Sequence, residues 1–328
     1  MCRSARLACG IAIVTAGMAA LASPALAQDC GALIGSWRHG PTQCAAVSGG
    51  YAYVGSGSMM LVADISNPSA PRVVGEVALP EFPSFIALDS GFAYVADWSS
   101  GLRVIDVRTP SAPVEVGFVD TPGRANAVAV VGGYAYVADK EAGLRVIDVR
   151  TPSAPVEAGF VDTPGYANDV AVEGRYAYVA DGGTGGLRVV DVRTPSAPVE
   201  VGFVDTPGVA LGVAVTGGYA YVADDWGGLR VIDVSTPSAP VEVGFFDAPD
   251  YAFAVAVVGS YAYIVDYYLG LRVIDVSTPS APVEVATIAI PGTVYNLAVA
   301  GGYAYVSSYF GGVRVIDVST APAPRSPT

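Results

Sequence analysis

A chain of 328 residues with 30 acidic side chains against 17 lysines and arginines carries a formal charge of −13 at pH 7. Such a surface repels nucleic acid and anionic lipid, which excludes nucleic-acid binding as a function class. The one histidine, His39, lies in the N-terminal segment, and two of the four cysteines, Cys2 and Cys9, fall within the first 27 residues, so the sequence offers no histidine-based triad and no zinc cluster in the repeats.

In chain order, residues 1–27 read as a secretory signal peptide. Arg3 and Arg6 give the positive start, Leu7 to Leu21 the apolar segment, and Ala25, Leu26 and Ala27 a small-residue cleavage pattern. The apolar run is short and studded with Gly and Ala, which argues against a membrane anchor. No later stretch reads as transmembrane, so no membrane insertion is expected. Secretion to the periplasm or cell surface is. Of the cysteines, Cys30 and Cys44 remain after processing, and an oxidising compartment favours their pairing.

From Cys44 onward the chain repeats itself. The second tyrosine of a Tyr-Ala-Tyr-Val block recurs at Tyr53, Tyr94, Tyr136, Tyr178, Tyr221, Tyr263 and Tyr305, and the aspartate of Val-Ile-Asp-Val at Asp64, Asp106, Asp148, Asp191, Asp233, Asp275 and Asp317. Tyrosine spacings of 41 to 43 residues mark a repeat architecture. The third unit shows four strand-like pieces, Asn126 to Val131, Tyr134 to Ala138, Leu144 to Val149 and Val156 to Val161, rich in Val, Ile and Tyr. Gly132-Gly133 turns the chain between the first two, and Thr151 to Pro155 between the last two. Both faces of the strands carry bulk, as a sheet packed on both sides requires.

These features predict an all-β, seven-bladed propeller of four antiparallel strands per blade over residues 28–320, with a short disordered tail at 321–328. An open solenoid is the alternative. The last unit lacks a fourth strand. Leu33 to Trp37, before the first unit, resembles the missing piece, so the N-terminal strand is expected to complete the last blade and hide an edge. Arginine in the third strand is matched by glutamate in the fourth at Arg103–Glu115, Arg145–Glu157, Arg188–Glu200, Arg230–Glu242 and Arg272–Glu284. A directly opposed cross-strand pair accounts for this matching. Under the same register Leu33 falls opposite Arg314.

The run Gly143 to Val149, preceded by Tyr-Ala-Tyr-Val and followed by Ser-Ala-Pro, resembles the LVIVD-repeat proteins of bacterial and archaeal surfaces. The resemblance covers nearly all of Cys44 to Ser319. It implies an exported, propeller-like protein and supplies no catalytic residues.

Function is expected on the face where the loops vary, since rigid scaffolds evolve binding in loops. That face carries Phe82, Trp98, Tyr166, Trp226, Tyr251, Phe253, Tyr267, Tyr268, Tyr295, Tyr309 and Phe310, which suit a protein segment or sugar rings. It also carries Asp139, Glu141, Asp169, Asp181, Asp224, Asp225, Asp250 and Asp266. Turn capping is the plainer role for the Asp139 type. No cofactor is expected, and calcium is the one cation these oxygens suit. The reading is a monomeric, non-enzymatic binding scaffold with an unidentified protein partner at the cell envelope. A glycan-binding protein, a glycan hydrolase using carboxylates such as Asp169 and Asp225, and a structural envelope protein are the alternatives.

Overall fold

The structure, a computed structural model, describes residues 33–37 and 40–319. The proposed signal peptide, Cys30, His39 and the tail lie outside these residues. The described residues form 28 strands and no helix, arranged as seven four-stranded antiparallel sheets. No helix among them is long and apolar enough to cross a membrane.

In the third blade the strands are Ala127–Val131, Tyr134–Ala138, Leu144–Asp148 and Val156–Val161, in that order from the axis outward. The first strands of successive blades lie side by side. The ring closes where Thr42–Ser48 of blade one meets Val294–Ala300 of blade seven. The architecture is therefore a closed seven-bladed propeller, not a solenoid.

Each hydrophobic core lies between two blades. Tyr94, Leu102 and Val104 of blade two pack against Val128, Val137 and Ile147 of blade three. The repeated tyrosines are buried core residues in all seven units, from 2% to 5% exposed. The repeated aspartates cap the Pro-rich turn as Asx turns. Asp148 Oδ1 accepts from the Arg150 N–H at 3.1 Å, and the equivalent bond recurs in every blade from Asp64 to Asp317.

Ring closure uses Leu33–Trp37 as the outer strand of blade seven, antiparallel to Gly312–Asp317. Gly35 faces Val315 there, as Gly117 faces Val104 in blade two. Both outer strands bulge after the residue that faces isoleucine. Position Gly35 also admits no side chain, because a Cβ would lie 2.3 Å from the Pro68 carbonyl oxygen of blade one. The same contact recurs between Gly117 and Pro152 and between Gly159 and Pro195. Each outer strand thus abuts the proline turn of the next blade. The N-terminal strand makes that contact across the closure.

The observed ladder corrects the expected charge register. Arg103 faces Phe118, and Glu115 faces Ile105. The arginine reaches Glu115 diagonally, at 3.8 Å, while Phe118 stacks beneath its guanidinium at 4.5 Å. Ser36, not Leu33, lies opposite Arg314, and Leu33 faces Ile316. Serine stands in the phenylalanine position and leucine in the glutamate position, so the stacked ring and the diagonal carboxylate that Arg103 has find no counterpart at Arg314.

Candidate functional site

The turn between the second and third strands of each blade shares a face with the connection into that blade. In blade three Asp139 is wholly buried there. It accepts from Thr121 Oγ1 at 2.6 Å and from the Gly123 N–H at 2.8 Å, and its Oδ2 lies 3.9 Å from Arg145 Nε. Asp181 with Thr163, Gly165 and Arg188, and Asp224 with Thr206, Gly208 and Arg230, repeat the arrangement. These three candidate acids are therefore structural ties between one blade and the chain entering it. Their carboxylates are consumed by internal partners. Burial still raises the pKa of Asp139 and Asp224 against those partners.

The tie weakens where the threonine is replaced. Leu79 stands there in blade two, and Asp97 Oδ1 has no hydrogen-bond partner among the described residues. Burial lifts the Asp97 pKa to about 6, opposed by the Glu81 N–H and Arg103. In blade six Ala248 takes the threonine position and Asp266 turns to the Arg272 guanidinium instead. Burial again pushes it up to about 6. The recurrence of Thr121, Thr163 and Thr206 beside Asp139, Asp181 and Asp224 was the sequence signal for this network.

The same face divides into two further regions. Over blades six and seven the aromatic candidates join into one cluster. Tyr251 meets Tyr268 with ring centroids 6.5 Å apart, and Tyr268 meets Tyr267 at 4.7 Å. Tyr267, Phe253 and Tyr295 lie mutually 5.5 Å apart. Tyr295 continues to Tyr309 at 5.8 Å, and Tyr309 to Phe310 at 4.8 Å. Tyr267 and Tyr295 join their hydroxyls at 3.3 Å, and burial first, then this bond, raises the Tyr295 pKa to about 12. The outer members are open: Tyr251 is 46% exposed, Tyr268 61% and Phe310 80%. Asp250 accepts from the Tyr268 N–H at 2.6 Å and so holds this loop.

The other aromatic candidates stand outside the cluster's ring contacts. Trp226, Tyr166 and Phe82 are exposed. Trp98 is covered by the Arg124 guanidinium at 4.9 Å, and Arg124 in turn pairs with Glu141. Cys44 is a buried free thiol donating to the Pro83 carbonyl at 3.2 Å, and burial raises its pKa to about 12. Its expected partner, Cys30, lies outside the described residues.

On the axis, residues at or near the starts of all seven inner strands surround a cavity of about 290 Å³ at the mouth of the channel. One level of this ring reads Gln43, Ser84, Asn126, Asn168, Leu211, Phe253 and Tyr295, polar through the first four blades and apolar through the last three. The next level holds Asp169, where other blades have Phe85, Ala127, Gly212, Ala254 and Asn296. Trp98 and Lys140 reach the cavity from the turns. Both have left-handed backbones, with φ of 50° and 43°, at the turn position that blade four fills with Gly182. Each is fixed by paired backbone bonds to the next blade's entry, Trp98 to Ala125 and Lys140 to Ala167.

Lys140 is the single lysine of the chain. Its Nζ donates to Asn168 Oδ1 at 2.6 Å, and Asn168 Nδ2 donates to the Ala210 carbonyl at 2.7 Å. Burial, aided by Arg124, lowers the Lys140 pKa to about 8. Asp169 lies deep among protein atoms with an accessible edge on the channel. It accepts from the Val170 and Val213 N–H groups at 2.8 and 2.9 Å, and burial outweighs both bonds to lift its pKa to about 7. The carboxylate that acts on Asp225 is Asp250, so Asp169 and Asp225 do not form an acid pair. No group of three or more His, Cys, Asp or Glu side chains converges on a metal-sized site among the described residues.

Lys140, Asn126 and Asn168 were missed in the sequence. Their importance depends on the ring bringing blades three and four together at the axis. Lysine occurring once in the chain was the available signal.

Seven consecutive segments, 39–78, 84–121, 122–163, 164–206, 207–248, 249–289 and 291–326, match the LVIVD repeat. The chain belongs to the LVIVD-repeat family. Each matched segment corresponds to one blade, so in this LVIVD protein the repeat is the structural unit. A comparison with curated proteins finds no match. Among solved structures the fold is similar to the Cps50 (Swd1) β-propeller domain of Myceliophteria thermophila, with a TM-score of 0.73 and 12% identity over 88% of this chain and 99% of that one. U3-55K gives a TM-score of 0.71 at 11% identity, covering 87% of this chain and 97% of its own. BamB from Moraxella catarrhalis gives 0.58 at 14%, covering 84% and 83%. At these identities the likeness is one of fold alone.

Proposed function

We propose that this LVIVD-repeat protein is an exported, non-enzymatic binding scaffold that grips an apolar segment of a protein partner at the cell envelope. The observation behind this reading is the aromatic cluster of blades six and seven, whose rings order one another while Tyr251, Tyr268 and Phe310 stay open to solvent. Aromatic side chains supply large contact area at low entropic cost, and they dominate protein-binding hot spots. The constant turns on the opposite face offer no comparable variation between blades.

Export follows from the pattern of residues 3–27, and N-terminal sequencing of the cell-envelope protein should begin near Gln28. Recovery of an unprocessed chain in the cytoplasm would contradict it. Binding is tested by quantitative affinity purification after envelope crosslinking, with Tyr251, Tyr268 and Phe310 changed together to alanine. The specific partner should fall at least tenfold in yield, while Phe82→Ala leaves it unchanged. Equal yields from the triple variant and the parent would refute the assignment.

A further inference from the structure

The channel mouth offers a site distinct in chemistry from the aromatic surface. Lys140 and Asp169 line one cavity, yet Lys140 forms no ion pair among the described residues. Asn168, bonded on its other side to Ala210, holds Lys140 in place, and the Val170 and Val213 N–H groups hold Asp169. An ammonium has three donors, and Asn168 uses one of those on Lys140. A carboxylate offers about four acceptor positions, and two backbone N–H groups occupy one on each Asp169 oxygen. Donors on the cation and acceptors on the anion therefore remain available in one space.

A ligand with a single charge would satisfy one of these groups and repel the other. A zwitterion satisfies both, its carboxylate against Lys140 and its ammonium against Asp169. Phe253 and Tyr295 form the apolar side of the ring, where a ligand side chain can lie. The cavity of about 290 Å³ has room for one small molecule. We propose that the channel mouth binds a free α-amino acid with an apolar side chain. This does not depend on the protein-binding role of the aromatic surface.

The single lysine provides a direct probe. In full-length protein labelled with isotopic lysine, the Lys140 ε-methylene signal should shift saturably with L-leucine or L-phenylalanine. Leucinamide, which lacks the carboxylate, and 4-methylpentanoate, which lacks the ammonium, should bind at least tenfold more weakly. Lys140→Gln retains a donor toward Asn168 and should weaken amino-acid binding at least tenfold by calorimetry, as should Asp169→Asn. Tyr268→Ala and Phe310→Ala should bind like the parent, which separates failure here from failure at the protein surface. No saturable shift with either amino acid would overturn the proposal. So would 4-methylpentanoate binding as tightly as L-leucine, which would mark a plain anion site.

Discussion

Blades three to five and blades six to seven are built from the same repeat but have settled into different states. In the first group each buried aspartate is tied by a threonine, a glycine N–H and an arginine, and Phe160, Phe203 and Phe245 lie under the arginines. In the second group alanine or isoleucine replaces the threonine, Asp266 pairs directly with Arg272, and Ser308 takes the aspartate position in blade seven. The loops there carry the aromatic cluster. In the regular blades the buried carboxylates are held by internal partners. In the irregular blades large aromatic side chains stay open to solvent, and variable loops on a rigid scaffold are where binding evolves.

The contrast makes graded predictions. The largest effect should come from crowding a regular blade. Gly159→Val places carbon against the Pro195 carbonyl oxygen, 2.5 Å from the ideal Cβ, and should cost about 3 kcal/mol in urea unfolding. Blade six already carries Ala286 at that position, and Ala286→Gly should cost about 1 kcal/mol or less. Similar costs at the two sites would erase the distinction. Next, Asp181→Ala should cost about 3 kcal/mol, because it strips Arg188 of its buried carboxylate. Ser308→Ala, at the equivalent place in blade seven, should cost about 1 kcal/mol or less.

A smaller effect depends on pH. Asp97 has a pKa near 6 in the folded protein against 3.8 for the free side chain, so the folded state holds the extra proton between those values. Stability from this group is present below its unfolded pKa and falls as pH rises toward 6. Asp97→Asn should therefore flatten the stability profile between about pH 4 and 6, by roughly 1–3 kcal/mol relative to the parent. An unchanged profile would show that the Asp97 environment is already relaxed. The smallest stability change is expected at the aromatic surface, where Phe310→Ala should stay within about 0.5 kcal/mol by thermal unfolding. A larger loss would make that ring structural.

Much of the fold was legible because its determinants are local. The tyrosine period, the Gly-Gly turns and the missing outer strand after Val318 suffice to predict seven blades and the strand that closes them. The arginine–glutamate register was not legible, because Glu115 pairs with Ile105 and a one-residue bulge then brings Phe118 rather than Gly117 opposite Arg103, so the glutamate meets the arginine only diagonally. The aromatic residues on the variable face were visible one by one. Their union over blades six and seven depends on which blades are neighbours. Asp169 was named as an acid, but that it lines one cavity with Lys140 required the ring. Turn capping was the plainer sequence reading of Asp139, Asp181 and Asp224, and their carboxylates instead tie each blade to the chain entering it.

The central claim is that partner binding belongs to blades six and seven. Site-specific photocrosslinking in the intact cell envelope tests it most directly, with the reactive group placed at Phe310 on the aromatic surface or at Val131 beside the constant turn of blade three. The account predicts a discrete protein adduct from position 310 and none from position 131. An adduct from 131 with none from 310, or the same adduct from both, would contradict it.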